Sequence, residues 1–143
     1  MKKTYDLLKN VLIDIEKEIR NGINTDIIAK KHNLSSIHLQ RLFKFTFKQP
    51  LGAYIRSRRL TESLNDLLHT NKKIIDLALE YGFSYEQSYI SSFRREFGLS
   101  PGNLRKSKQI VKTQLPLYFF GERTGIMQFD VKRYQIGLTT PPL

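Results

Sequence analysis

LQRLFKF at 39–45 returns fifty residues later as YISSFRR at 89–95. Each copy holds a Phe in the same place (Phe43, Phe93), a basic residue after it (Lys44, Arg94) and a second Phe four positions on (Phe47, Phe97). The correspondence extends outward. Ala29 falls on Ala78, Leu34 on Phe83 and Ser35 on Ser84; after one inserted residue, Leu39 falls on Tyr89 and Gly52 on Gly102. The repeated unit reads as a short helix, a tight turn and a longer helix. That is the helix-turn-helix plan, whose second helix is shaped to enter a DNA major groove. A helical solenoid would need at least about three units, and this chain has two.

The flanks support an all-α reading. Tyr5, Leu8, Leu12, Ile15 and Ile19 recur at three- and four-residue steps, predicting an amphipathic helix over about 5–20 that stops near Asn21 and Gly22. Asn24 or Thr25 can cap the next short helix, and either of two serines, Ser35 or Ser36, the one after it. LGAYIRSRRLTESLNDLLHT, after Pro50, has good helix formers and no internal Pro. Ser84 can cap the second long copy, and Gly98 ends it. Ser100 and Pro101 form an N-cap and first-turn pair for a last short helix. The expected fold is all-α: helix-turn-helix units at about 25–48 and 74–98, joined by a long central helix over about 51–68. From 107 onward, KTQLPLYFF and GIMQFDVKRYQIGL favour strands or extended segments, so the tail 107–143 is expected to be short and β-like.

A helix over 51–68 makes a rod of about 27 Å. Successive major-groove faces lie about 34 Å apart. Such a rod would hold two recognition helices near one groove repeat, and one monomer would read two adjacent half-sites. A slightly short rod would require the DNA to bend, which makes sequence matter where nothing touches it.

Composition agrees. The chain of 143 residues has 24 Lys and Arg against 13 Asp and Glu, a net charge of +11. That surplus points to a polyanionic partner, with an acidic protein surface or anionic membrane as rivals. No Cys is present, which excludes disulfides and thiolate metal sites. No apolar run is long enough to span a bilayer, and the start lacks the apolar core of a signal peptide. His32, His38 and His69 have no acidic or thiol company in a ligand pattern, and no phosphate loop or nucleophile motif occurs. Catalysis, metal and cofactor are therefore not expected.

Two stretches, HLQRLFKFTFKQPLGAYIRSRRLTESLNDLL and IIDLALEYGFSYEQSYISSFRREFGLSPGNLRK, resemble the AraC/XylS family of bacterial transcription regulators, in particular its MarA/SoxS/Rob type. The second carries Ala78, Gly82, Phe83, Phe93, Phe97, Gly98, Ser100, Pro101 and Arg105 in the family's order. The likeness covers about residues 5–106. It implies two helix-turn-helix units binding duplex promoter DNA, RNA polymerase as a partner, a monomeric DNA-binding domain over 1–106, and a place in the bacterial cytoplasm on the nucleoid. Two positions depart from the pattern. Lys48 stands where a Gly usually closes the first recognition helix. Ser91 stands where this group has an Arg, which shifts the second unit toward gripping backbone or sensing shape.

The resemblance places base contacts at Ile37, Gln40 and Arg41 on the first recognition helix and at Gln87, Ser88 and Ser91 on the second. The chemistry suits them: Arg pairs with guanine, Gln with adenine, and Ile37 can meet a thymine methyl. Gln87 has an equal competing role, because Ser84 to Gln87 fits a capping box. Lys44, Arg94 and Arg95 are backbone candidates, as are Lys30, Lys31, Arg56, Arg58 and Arg59. His38 reads as a surface or packing residue, and Phe45 lies off the core stripe without an assigned role. A non-specific nucleic-acid binder is the alternative function, and a protein-interaction module a weaker one. The tail is either a docking strap or the opening of a second, effector-binding domain, which FDVKRYQIGL at 129–138 weakly resembles.

Overall fold

The computed structural model describes residues 2–119, 126–127 and 132–134, with side chains from 3 to 117. The described residues form seven helices: α1 (Lys2–Lys17), α2 (Thr25–Lys31), α3 (Ser36–Phe47), α4 (Leu51–His69), α5 (Ile74–Glu80), α6 (Glu86–Phe97) and α7 (Pro101–Ser107). Four short strands follow: β1 (Val111–Thr113), β2 (Tyr118–Phe119), β3 (Ile126–Met127) and β4 (Lys132–Tyr134).

Local chemistry sets most boundaries. The Asn24 side chain accepts from the Ile27 amide, Ser35 from His38 and Ser100 from Asn103, each tying down an amide the first helical turn leaves unpaired. Two boundaries differ from expectation. α1 lies earlier than 5–20 and ends at Lys17, although Ile19 stays buried in the turn behind it. α6 begins at Glu86 with Tyr85 as its N-cap and no side-chain cap bond, so Ser84 does not cap it. The Lys48 position keeps the expected geometry without glycine: its φ of 61° and ψ of 26° are left-handed, as at Gly98.

Two apolar cores form, one per unit. The first gathers Leu8, Val11 and Ile15 of α1, Ile28 and Ala29 of α2, Leu39, Phe43 and Phe47 of α3, and Leu51, Tyr54 and Ile55 of α4. The second gathers Leu60, Leu64, Leu67 and Leu68 of α4 with Leu77, Ala78, Tyr89, Phe93 and Leu104. The repeat is therefore longer than the helix-turn-helix units. Val11, Ile15 and Ile19 correspond to Leu60, Leu64 and Leu68, each forty-nine residues on and each buried. α4 closes the first lobe with its opening turns and backs the second with its remainder.

The tail is extended where described. β1 pairs antiparallel with β4, Val111 opposite Tyr134, and β2 pairs antiparallel with β3. Val111 enters the second core and Leu117 the first, so the chain between them crosses both lobes. The Gln114 amide donates to Thr61 Oγ1 and the Leu117 amide to Tyr54 Oη, both 3.0 Å and both on α4. Of FDVKRYQIGL only 132–134 is among the described residues; the rest of it, and TTPPL at 139–143, lie outside them.

Candidate nucleic-acid interface

Each recognition helix is pinned by its aromatic face. On α3, Phe43 contacts Phe47 and Tyr54 at ring-centroid distances of 4.7 and 5.4 Å. On α6, Phe93 contacts Tyr89 and Phe97 at 5.6 and 4.6 Å. Tyr89 reaches a buried partner, with Ser63 Oγ 2.8 Å from its hydroxyl, and burial pushes its pKa up to about 12. Such packing fixes helix rotation, and rotation decides which side chains face water.

On α3 the outward residues are Ile37 (64% exposed), Gln40, Arg41 and Lys44, and on α6 they are Gln87, Ser88, Ser91, Arg94 and Arg95. All six base-reading candidates are thus on the exposed faces of the two helices. Gln40 Nε2 donates to Ser36 Oγ at 2.8 Å, and Gln87 Nε2 to Ser91 Oγ at 3.1 Å. Both amides lie along their helices, and Gln87 makes no bond back to its helix start, so the capping-box role falls away. Lys30 and Arg56 are exposed as backbone candidates.

Three backbone candidates are placed differently. Arg58 is buried, 3% exposed. Its Nε and Nη2 meet the two Glu16 carboxylate oxygens at 2.9 and 2.7 Å, and Nη1 donates to the Gln114 carbonyl at 2.6 Å. Burial pushes its pKa down, but Glu16 and then Glu62 outweigh that, leaving it raised and the guanidinium charged. Arg59 is half-buried and donates to the carbonyls of Ile19, Asn21 and Ile23; burial lowers its pKa. Arg58 has no exposed donor for a phosphate, and Arg59 commits its Nε and Nη2 donors to the protein's own backbone. Lys31 remains largely exposed but pairs with Asp14 at 3.0 Å. A helical signal marked Arg58 in advance: it follows Tyr54 by four and Ile55 by three, on the apolar stripe. For Arg59 no local signal existed, because its partners lie some forty residues away.

Asp14 is the acid at which α1 meets α2. His32 Nε2 lies 2.7 Å from one oxygen and Lys31 Nζ 3.0 Å from the other. Burial pushes the Asp14 pKa up, yet the Lys31 and His32 bonds outweigh it and the net shift is downward. His32 is a packing residue, and His38 is exposed beside the recognition face. Phe45 is 77% exposed, with Lys48 Nζ 4.9 Å from its ring centroid, which adds a second cation near Lys44. Among the described residues no helix is long and apolar enough to cross a membrane, and no cluster of His, Cys, Asp and Glu could hold a metal ion.

The arrangement presents two arrays of hydrogen-bonding side chains, joined on α3 by the apolar Ile37, each flanked by cations. That is the equipment for reading base edges while holding phosphates. The pattern describing a helix-turn-helix domain family matches residues 28–107. The chain is 38% identical over 101 residues to the HTH-type transcriptional activator AarP of Providencia stuartii, covering 71% of this chain and 75% of that protein. It is 35% identical over 103 residues to the right origin-binding protein of Escherichia coli K12, covering 72% of this chain but only 36% of that longer protein. A crystal structure of an AraC-type transcriptional regulator from Chromobacterium violaceum superposes with a TM-score of 0.64 at 27% identity, covering 74% of this chain and 95% of that one.

Proposed function

This chain belongs to the AraC-type helix-turn-helix family of DNA-binding transcription regulators, and from that membership we propose that it binds promoter DNA sequence-specifically, with α3 and α6 in adjacent major-groove segments. One observation carries the reading: two separately cored lobes, joined through one 19-residue helix, each expose the polar side of a recognition helix. α4 is about 28 Å long, near the groove repeat of about 34 Å. Arg41, Gln40 and Ile37 read bases through the first lobe. Gln87, Ser88 and Ser91 read through the second, with less reach, and Arg94 and Arg95 there supply grip. Lys30, Lys44 and Arg56 hold phosphates. The domain acts as a monomer in the bacterial cytoplasm, on the nucleoid, and works with RNA polymerase. The described stretch 111–117 serves as a strap over α4; the alternative for 107–143 is the opening of a second, effector-binding domain.

Selection of bound duplexes from a random pool tests this. The expected outcome is a bipartite motif with half-sites about one helical turn apart. Recovery of duplexes without a common motif would support a non-specific nucleic-acid binder instead.

A further inference from the structure

We propose that Arg59 is a positioning residue that sets the separation of the two recognition helices, and with it the half-site spacing the protein accepts. The inference rests on the two-headed reading above. Arg59 sits on α4 between the last side chain given to the first core, Ile55, and the first given to the second, Leu60. A rod joining two lobes only at its ends would let them flex about this point.

The structure closes that freedom. Arg59 Nε donates to the Ile19 carbonyl at 3.2 Å, and Nη2 to those of Asn21 and Ile23 at 3.1 and 2.5 Å. All three carbonyls belong to the turn between α1 and α2, in the first lobe. Against the same side chain lies Gly82, in the tight turn of the second lobe with a φ of 86°. A Cβ there would stand 2.9 Å from Nε and 3.0 Å from Cζ. One planar side chain is thus held between the turns of both lobes. Beside it, the Arg20 guanidinium of the first lobe covers the Tyr81 ring of the second at 4.6 Å, and Tyr81 Oη is anchored by donating to Asp66 at 2.7 Å. A rigid fork with several donors suits this place; an ammonium on a flexible stem cannot serve three carbonyls in fixed directions.

Inserting one base pair between half-sites moves the second by about 3.4 Å and rotates it about its axis by roughly a tenth of a turn. A clasped pair of lobes resists that change, and the DNA must deform instead. The test measures affinity by fluorescence anisotropy for the selected duplex and for versions with one base pair added or removed between half-sites. The full chain is compared with Arg59→Gln and Arg20→Ala, folding being checked by circular dichroism. The wild-type chain is expected to prefer its own spacing by about tenfold or more. Arg59→Gln is expected to shrink that ratio to below about threefold, while discrimination within each half-site is kept. Arg20→Ala, an exposed side chain whose removal spares the fold, is expected to shrink it by a smaller factor, and it decides the matter if Arg59→Gln does not fold. An unchanged ratio in the folded variants overturns the proposal. A wild-type chain indifferent to spacing overturns the two-headed reading itself.

Discussion

The Arg58 guanidinium grips Glu16 by both carboxylate oxygens, at 2.9 and 2.7 Å, across forty-two residues of sequence. The pair joins α4 to α1, and the third contact, from Nη1 to the Gln114 carbonyl, joins both to the tail. Three arginines within four residues of α4 therefore have three fates. Arg56 faces water, Arg58 is buried in the first lobe's fastening to the strap, and Arg59 lies between the lobes.

These fates separate in experiment. Glu16→Ala leaves a buried guanidinium short of its main partner and should cost about 3 kcal/mol of stability, since a broken buried pair strands a charge. Urea unfolding measures it. Arg56→Ala should leave the unfolding midpoint in place and lower the slope of log affinity against log salt by about 0.9, the loss of one phosphate contact.

Arg41→Ala should weaken binding to the selected duplex by about 1–3 kcal/mol and relax base choice at one position. Competition with single-base variants of the duplex measures this. Arg94→Ala should weaken all duplexes alike. Uniform loss with Arg41→Ala would make that residue a phosphate contact only.

Lys48 holds a left-handed backbone, φ 61°, that an L side chain adopts at a cost. Lys48→Gly should therefore raise stability by about 1 kcal/mol, and Gly98→Ala, at φ 84°, should lower it by a similar amount. Thermal unfolding of both variants checks the pair of signs. Lys48→Gly also removes the cation over Phe45, so its DNA affinity should fall while its stability rises.

Acid should loosen both lobes through two aspartates. In the folded chain Asp14 is held below its ordinary value of 3.8: burial pushes it up, and the Lys31 and His32 bonds more than reverse this. Asp66 is lowered chiefly by the Tyr81 hydroxyl, with burial opposing and Lys72 assisting. A carboxyl with a depressed folded pKa contributes stability that is present above the unfolded value and lost as pH falls through the folded one. Urea midpoints should therefore be level above about pH 5 and fall below about pH 4. Asp14→Asn should lower the plateau and flatten part of that fall; an unaltered fall would place the titrating groups elsewhere.

The recognition faces were legible because helix periodicity and caps are local. Leu39, Phe43 and Phe47 announce one side of α3, and Ile37, Gln40 and Arg41 then have no side left but the outer one. Asn24, Ser35 and Ser100 cap as their side chains dictate. The start of α6 differs from expectation because Ser84 has the right chemistry at the wrong position, one residue before the N-cap. The repeat is legible in sequence from Ala29 and Ala78 onward; the match of Val11, Ile15 and Ile19 to Leu60, Leu64 and Leu68 is spread over aliphatic residues that many helices share.

Sequence alone thus determined that there are two helix-turn-helix units, where their helices run and which faces they bury, since each follows from side chains within one or two turns of each other. Only the tertiary structure decided what the basic residues of α4 do. RSRR reads as one positive run, but Glu16, the carbonyls at 19, 21 and 23, Gly82 and the carbonyl of Gln114 arrive from distant parts of the chain. Charge says what a side chain can bind; folding decides which partner reaches it first.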